Sequence, residues 1–179
     1  MGGKGRGTVR FLRNYDRWAA VFYAHEWAFG RNPRFYDYEK IGGDCTNFAS
    51  QCIYAGAGVM NYTPIYGWYY ITANDRTASW TGVQYLYNFL TGNLNAGPFG
   101  TDTDISQMQP GDICQLALNR PEFHHTPVIV SVGETPTLDN ILVAAHSRDA
   151  DYRPLSSYAF RAIRFIHIEA VRTFVPDSE

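Results

Sequence analysis

The hydrophobic pattern of this chain changes character at the Pro-Gly pair of residues 110–111. On the N-terminal side, apolar residues recur with helical spacing, which predicts helices over residues 15–29, from 45 to 56 or 58, and from 81 or 82 to 90. On the C-terminal side, short apolar runs between turn residues predict strands over residues 112–118, 125–132, 141–145 and 162–168, with 170–174 extending the sheet. This order predicts an α+β fold in which N-terminal helices pack on a C-terminal antiparallel β-sheet.

The chain of 179 residues is predicted to form a single domain over residues 14–175, because no repeat or linker divides it. Residues 59–81 are predicted to form a long ordered loop with short elements, and residues 91–110 a second loop. Residues 1–13 begin with MGGKGRG and lack the apolar segment of a signal peptide, so we expect a disordered leader or a remnant of cloning. No run of about 18 apolar residues predicts a membrane span.

The charge of the chain argues against one class of partner. The net charge is −2 and the isoelectric point is about 6.2. Nucleic-acid binding by bulk electrostatic attraction requires an excess of basic residues, which this composition lacks. We therefore expect no nucleic-acid partner.

Residues 42–52, GGDCTNFASQC, place a cysteine where a glycine turn leads into a predicted helix. Asp44 is a favoured N-cap residue, so Cys45 would lie in the first helical turn. Unpaired backbone N–H groups and the positive end of the helix dipole meet there, and both favour the nucleophilic thiolate. The alternative is a small buried thiol that fills a corner of the core.

The chain has three cysteines, so they cannot all pair internally. Cys45 and Cys52 would lie about 10 Å apart along one helix, too far for a disulfide. Cys114 could pair with either in principle. We expect three free thiols, with Cys52 and Cys114 in the core.

A cysteine nucleophile needs a nearby base, and two predicted strands supply histidines. His124 and His125 begin one strand and His146 ends the next. If the two strands form a hairpin, its open end brings these residues together, since cross-strand neighbours lie about 5 Å apart. The remaining histidines, His25 and His167, are predicted to be structural or exposed.

Several segments together resemble the putative amidase domain family, a papain-like branch related to CHAP and NlpC-type cell-wall hydrolases. The resemblance extends from about residue 15 to 168 and is carried by residues 15–28, 31–33, 43–52, 67–70, 79–80, 110–112, 125–130, 145–147 and 153–155. It implies a papain-like cysteine hydrolase fold with Cys45 as nucleophile, His125 as base and His146 as the residue that orients the base.

Two departures from the family pattern leave alternatives open. The intervening Thr126-Pro127 keeps His124 as a rival base. Asp149 is a rival orienter, because a carboxylate is a better charge partner for an imidazolium than a second imidazole.

The resemblance also implies a function: hydrolysis of an amide bond in a peptide or peptidoglycan stem peptide, through a Cys45 thioester and without a cofactor. It further suggests a bacterial protein of the cell envelope or extracellular space. An aromatic group either walls the substrate groove or packs in the core: Trp68, Tyr69, Tyr70 and Trp80.

Two other classes of function compete with the amidase. A peptide-binding or cell-wall-binding domain without turnover would share the same residues. A metal site would draw on Cys114, His124, His125 or His146, but their spacing lacks a recognised zinc pattern. The substrate and the oligomeric state are left open by the sequence.

Overall fold

The computed structural model describes residues 10–174, and within this range the chain forms four α-helices and nine β-strands. The helices are α1 (Arg17–Trp27), α2 (Cys45–Ala57), α3 (Ala78–Thr81) and α4 (Val83–Gly92). The strands are β1 (Arg10–Arg13), β2 (Tyr70–Thr72), β3 (Asp75–Arg76), β4 (Gly97–Thr103), β5 (Ile113–Ala117), β6 (Val128–Ser131), β7 (Leu142–Ala145), β8 (Ala150–Pro154) and β9 (Ala162–Phe174). No helix in the described range is long and apolar enough to cross a membrane.

Seven of the strands form one antiparallel sheet organised around β9. The sheet runs in the order β1-β9-β5-β6-β7-β8. The 13-residue strand β9 also pairs with β4, which lies off this linear order. Strands β2 and β3 form a separate small hairpin. The ends of β6 and β7 meet at the open side of their hairpin, next to the first residue of α2.

Each face of the sheet has its own hydrophobic core. Helices α1, α2 and α4 cover one face, where they bury Phe48, Trp68 and Trp80 against apolar residues of the strands. The second core lies on the other side of the strands and includes Leu155 and Tyr158 from the segment after β8. Cys52 belongs to the first core and Cys114 to the second, and both are fully buried, which confirms the prediction that they are core residues.

The predicted combination of helices and an antiparallel sheet is confirmed, but three strands of the seven-stranded sheet were not predicted, nor was the small hairpin of β2 and β3. Residues 10–13, expected to belong to a leader, form β1 on β9, while residues 1–9 lie outside the described range. Strand β4 lies in the predicted loop of residues 91–110. It begins with Gly-Pro, which is unusual in a strand, and it is stabilised by pairing with β9. Strand β8 follows a tight turn after β7.

A buried carboxylate joins the first helix to the last strand. Asp112 is fully buried, and its Oδ1 accepts hydrogen bonds from Arg17 Nη1 at 2.7 Å and from the Ile168 backbone N–H at 2.9 Å. Its Oδ2 lies 2.9 Å from both His167 Nδ1 and the Gln109 backbone nitrogen. Because a buried charge is tolerated only with such partners, Asp112 fixes where α1 lies on the sheet.

The substitution Asp112→Ala should strongly destabilise the fold, because it removes the buried carboxylate that accepts hydrogen bonds from Arg17 and from two backbone N–H groups. Loss of one partner of a buried ion pair typically costs about 3–5 kcal/mol. Urea unfolding followed by tryptophan fluorescence measures this loss. The matched control is Asp102→Ala, which removes an exposed carboxylate bonded to Tyr87 and should cost less than about 1 kcal/mol. Equal losses in the two variants would contradict the assigned role of Asp112.

Candidate active site

Cys45 is the first residue of α2 and lies against the segment that precedes β6. Gly42 and Gly43, at φ of 92° and 100°, make the turn before it, a backbone conformation that favours glycine. The thiol is 7% exposed. It donates to the His124 carbonyl oxygen at 3.8 Å, and its Sγ lies 3.7 Å from the Thr46 hydroxyl. The candidate nucleophile therefore contacts the chain segment that contains both candidate bases, His124 and His125.

The environment of Cys45 favours the thiol rather than the expected thiolate. Burial raises the pKa of Cys45, and the adjacent carboxylate of Asp44 acts in the same direction. Hydrogen bonding from the Thr126 backbone and from Thr46 opposes this rise without cancelling it. Removing the sulfur from water disfavours its charged form, and this effect opposes the stabilisation that a helix N-terminus offers to a thiolate.

Asp44 stands at the N-cap position of α2, as expected, but its side chain makes no capping hydrogen bond with the helix. Its Oδ1 instead accepts from the Tyr38 backbone N–H at 2.9 Å and from Asn47 Nδ2 at 2.8 Å. Ser147 Oγ accepts a hydrogen bond from the Asp44 backbone N–H at 3.0 Å. The contacts of Asp44 with Tyr38 and Ser147 consequently join the start of α2 to segments outside the helix.

His146, the predicted orienter, has both ring nitrogens occupied. Nδ1 lies 2.5 Å from Asp44 Oδ2, and Nε2 lies 2.8 Å from the Trp27 carbonyl oxygen. The Trp27 carbonyl oxygen can only accept, so Nε2–H donates to it. The ring also stacks on Phe48 with 4.0 Å between centroids. His146 therefore pairs with the buried carboxyl group of Asp44, and its hydrogen-bond partners do not include His125.

The two candidate bases differ in their surroundings. His125 is 5% exposed, and its ring centroid is 5.6 Å from that of Tyr158. Burial, with smaller contributions from His124, Arg153 and Arg148, lowers the pKa of His125 to about 4. At neutral pH its imidazole is therefore neutral.

His124 is partly exposed, and its Nδ1–H donates to the Glu122 carbonyl oxygen at 2.8 Å. This assignment of the proton leaves Nε2 with a free lone pair. Within the described residues, no hydrogen bond joins Cys45 Sγ to the ring of His124 or His125.

Asp149, the rival orienter, pairs with an arginine. Two nitrogens of Arg31 donate to its carboxylate oxygens at 2.9 and 3.1 Å. Arg31 Nε also lies 3.3 Å from Asp37 and 3.8 Å from Asp44. Asp149 is thereby linked to the buried His146–Asp44 pair through Arg31.

The four aromatic residues predicted to contact substrate divide into two pairs. Trp68 and Trp80 are fully buried, and their indole N–H groups donate to Ser50 at 3.1 Å and to Asn47 at 2.9 Å. They pack in the core, as the alternative interpretation expected. Tyr69 and Tyr70 keep exposed surface.

The metal-site alternative finds no cluster in the described part of the chain. Among residues 10–174, no three histidine, cysteine, aspartate or glutamate residues stand close enough together to hold a metal ion. Cys114 lies in the core on the face of the sheet away from α2.

Tyr158 is a candidate site residue that sequence reasoning missed. It follows the short 3-10 turn Leu155–Ser157, and its ring contacts that of His125. Its hydroxyl oxygen is buried and has no hydrogen-bond partner within the described range. No motif marks this position in the sequence, because its proximity to His125 arises from the return of the chain after β8.

Comparison with known proteins gives one family and one curated relative. The model of a family described as "Putative amidase domain" matches residues 14–168. The chain is 30% identical over 161 residues to the "Uncharacterized protein YhbB" of Bacillus subtilis (strain 168). The alignment covers 86% of this chain and 50% of the relative, so the chain spans half of the relative's length. No solved structure matches. The family resemblance is confirmed, and the papain-like relation stays a prediction.

Alkylation by iodoacetamide should report the raised pKa of the Cys45 thiol. A raised pKa means that the thiolate forms at higher pH, so labelling at pH 7 should be slower than that of free cysteine. The rate should keep rising above pH 9, the ordinary value for a thiol being 9.0. Mass spectrometry separates Cys45 from the fully buried Cys52 and Cys114, which serve as internal references. A rate that levels off below pH 8 would show a stabilised thiolate and contradict this expectation.

The ion pair between His146 and Asp44 should show strong coupling in a double-mutant cycle. His146→Gln leaves the buried carboxyl group of Asp44 without its ring partner and should cost about 3–5 kcal/mol of unfolding free energy. The double variant, which also carries Asp44→Asn, should lose much less unfolding free energy than the sum of the two single losses. The coupling energy should be above about 1 kcal/mol. The control cycle uses His25 and Asp151, a more exposed pair 2.8 Å apart, and should give a smaller coupling. Additive losses at His146 and Asp44 would contradict the pair.

Proposed function

Because the chain belongs to the putative amidase domain family, we propose that it hydrolyses a peptide-type amide bond, with Cys45 as nucleophile and His125 as general base. The observation that carries this proposal is the contact between the Cys45 thiol and the His124 carbonyl oxygen at 3.8 Å. It brings the first residue of α2 against the segment that contains both candidate bases. Catalytic hydrogen bonds are often long in substrate-free structures and tighten in the complex with substrate. The lack of a hydrogen bond between Cys45 Sγ and the His125 ring within the described residues is therefore compatible with the proposed roles.

The pKa directions indicate how the pair would start the reaction. Burial raises the pKa of Cys45 and lowers that of His125, so both side chains are neutral at neutral pH before substrate binds. The expected thiolate–imidazolium pair would then form only as substrate binds, when His125 takes the thiol proton. His124 is the alternative base, because its Nδ1–H bond to the Glu122 carbonyl leaves Nε2 free to accept that proton.

The proposed reaction is acyl transfer in two stages. Sγ of Cys45 forms a bond to the amide carbon, and the carbonyl electron pair moves onto oxygen. When the tetrahedral adduct collapses, the carbon–nitrogen bond breaks, and the amine leaves with the proton held by the imidazolium. Water then loses a proton to the same histidine and attacks the thioester, which releases the acid and restores the thiol. The Cys45 backbone N–H at the start of α2 is the proposed donor to the oxyanion.

We assign His146 a positioning role that acts through Asp44 on the segment next to the nucleophile. Its two hydrogen bonds join the end of β7 to the residue before Cys45 and to the end of α1. Asp149 supports the same group through Arg31. The third residue of the site would thus orient the nucleophile and its helix.

The proposed substrate is a peptide amide, with peptidoglycan stem peptides as one class. Tyr69 and Tyr70 are the proposed contacts in the groove, since they keep exposed surface. An aromatic side chain offers a flat apolar wall with a polar tip, which suits a peptide backbone.

One observation favours the second candidate function, a peptide-binding domain without turnover. Cys45 is 7% exposed and makes no hydrogen bond to a histidine ring within the described range. A thiol held in this manner could serve packing alone. Activity assays separate the two functions.

The test is release of new amine from a panel of blocked peptides that includes peptidoglycan stem peptides. Cys45→Ala should abolish amine release. His125→Gln should reduce kcat by at least about 100-fold, which is the usual contribution of a general base to the rate. His25→Gln is the control, because His25 is a partly exposed histidine paired with Asp151.

The possible outcomes distinguish the two candidate bases and the two candidate functions. A larger loss in His124→Gln than in His125→Gln would transfer the role of base to His124. Binding of a peptide by both the wild type and Cys45→Ala, with no amine released by either, would establish the binding domain and contradict the enzyme.

A further inference from the structure

A row of polar side chains leads through the protein interior from Arg164 on β9 to the Cys45 thiol. Cys45 Sγ lies 3.7 Å from the Thr46 hydroxyl oxygen, which lies 3.1 Å from the Thr126 hydroxyl oxygen. Thr126 Oγ1 is 3.5 Å from Gln115 Nε2, and Gln115 Oε1 accepts a hydrogen bond from Arg164 Nε at 2.8 Å. The two threonines and the glutamine are at most 1% exposed, so bulk water does not reach these contacts.

The side-chain amide of Gln115 has a defined orientation. Arg164 can only donate hydrogen bonds, so it faces the amide oxygen of Gln115. The Val83 carbonyl oxygen can only accept, and it lies 2.8 Å from Gln115 Nε2. The second N–H of that nitrogen is therefore left to donate to Thr126 Oγ1.

The arginine at the far end of the row is held in place. Arg164 lies directly opposite Gln115 in the pairing of β5 with β9. Its guanidinium lies over the rings of Tyr87 and Phe123, at 3.6 and 4.2 Å from their centroids. Such contacts of a cation with aromatic faces stabilise one position of the guanidinium. The amide of Gln115 thus faces a fixed positive charge.

The sulfur end of the row requires the same direction of donation. The thiol proton of Cys45 is donated to the His124 carbonyl oxygen, which can only accept. The sulfur is therefore the acceptor in its contact with Thr46, and the Thr46 hydroxyl is the donor. Thr46 Oγ1 in turn accepts from Thr126, whose own oxygen accepts from Gln115. Both ends of the row consequently direct the hydroxyl protons toward Cys45.

We propose that these side chains form a directed hydrogen-bond network from Arg164 to Cys45, in which Thr46 donates to the sulfur as negative charge develops there. Thr46 touches the reacting atom, whereas Thr126 and Gln115 are positioning residues that fix the direction of its proton. The thiol proton leaves with the base and Thr46 keeps its own, so the network is unchanged after each turnover. The use of the network in catalysis rests on the proposed function, but donation to the sulfur does not.

The network counteracts the burial of the sulfur. Burial raises the pKa of Cys45, and the carboxylate of Asp44 acts in the same direction, while hydrogen bonding from Thr46 lowers this pKa. A hydrogen bond to the charged form of a group favours that form, and it is stronger inside a protein than in water. The network thus makes it easier to form a thiolate at a position that excludes water.

The experiment measures alkylation of Cys45 by iodoacetamide between pH 7 and pH 10, by mass spectrometry, in the full chain carrying Thr46→Val. Valine keeps the shape of threonine and lacks the hydroxyl. A roughly tenfold fall in the thiolate fraction, partly offset by the greater nucleophilicity of a more basic sulfur, slows alkylation by about threefold. We expect this slowing at pH 8, with the pH–rate curve displaced to higher pH. Thr46→Ser keeps the hydroxyl and should react like the wild type.

The positioning residues are tested in combination with Thr46. Thr126→Val keeps the backbone N–H of Thr126 and removes the hydroxyl, so it should slow alkylation less than Thr46→Val does. The double variant should react like Thr46→Val alone, because the Thr126 side chain acts only through Thr46. Gln115→Met removes the amide that donates to Thr126 and should resemble Thr126→Val.

Thr77→Val is the matched control for the loss of a buried threonine hydroxyl. Thr77 is 3% exposed, and its hydroxyl forms hydrogen bonds with Tyr69 and Ser79. Its hydrogen bonds do not reach Cys45, so this variant should be alkylated like the wild type at every pH.

The other outcomes contradict specific parts of the proposal. Equal slowing at every pH in Thr46→Val would indicate altered access to the sulfur and would overturn donation, as would equal slowing in Thr46→Ser. Additive effects of Thr46→Val and Thr126→Val, or no effect of Thr126→Val, would overturn the network beyond Thr46. If the wild type releases no amine from the blocked peptides while Thr46→Val still displaces the curve, the proposed function fails and donation to the sulfur stands.

Discussion

The buried ion pair between His146 and Asp44 is the interaction on which the site depends. Its members lie at the end of β7 and immediately before α2, and the second nitrogen of His146 donates to Trp27 at the end of α1. The His146 ring therefore joins the sheet to the end of α1 and to the residue before α2. Each charge is tolerated in the core only because the other is present with further hydrogen bonds. The place of Cys45, one residue after Asp44, follows from this arrangement.

Burial then determines the chemistry available to Cys45. The same packing that places the thiol beside His124 and His125 removes it from water, which raises the pKa of Cys45 and lowers that of His125. Both shifts favour the neutral forms of the two side chains, because burial disfavours charge.

The parts of the fold that sequence reasoning predicted are those with a strong local signal. Helical spacing located α1, α2 and α4 to within a few residues, and the Pro-Gly turn marked the start of the segment that forms β5 to β9. Strands β1 and β4 were missed because their short sequences carry no alternation, and they form through pairing with the 13-residue strand β9. Trp68 and Trp80 were assigned to a groove or to the core with equal weight, since an aromatic residue in an irregular segment has no periodicity that indicates which side faces inward.

The sequence by itself determined the elements of the site: a cysteine after a glycine turn at a helix start, histidines at neighbouring strand ends, and membership of one family. These elements were recognised from local patterns of residues that lie near one another in the sequence. Only the tertiary structure decided that Asp44 pairs with His146 instead of capping its helix, that burial opposes the helix dipole at Cys45, and that Tyr158 lies against His125. The reason is that burial and partner choice arise between segments far apart in the chain, where spacing carries no information.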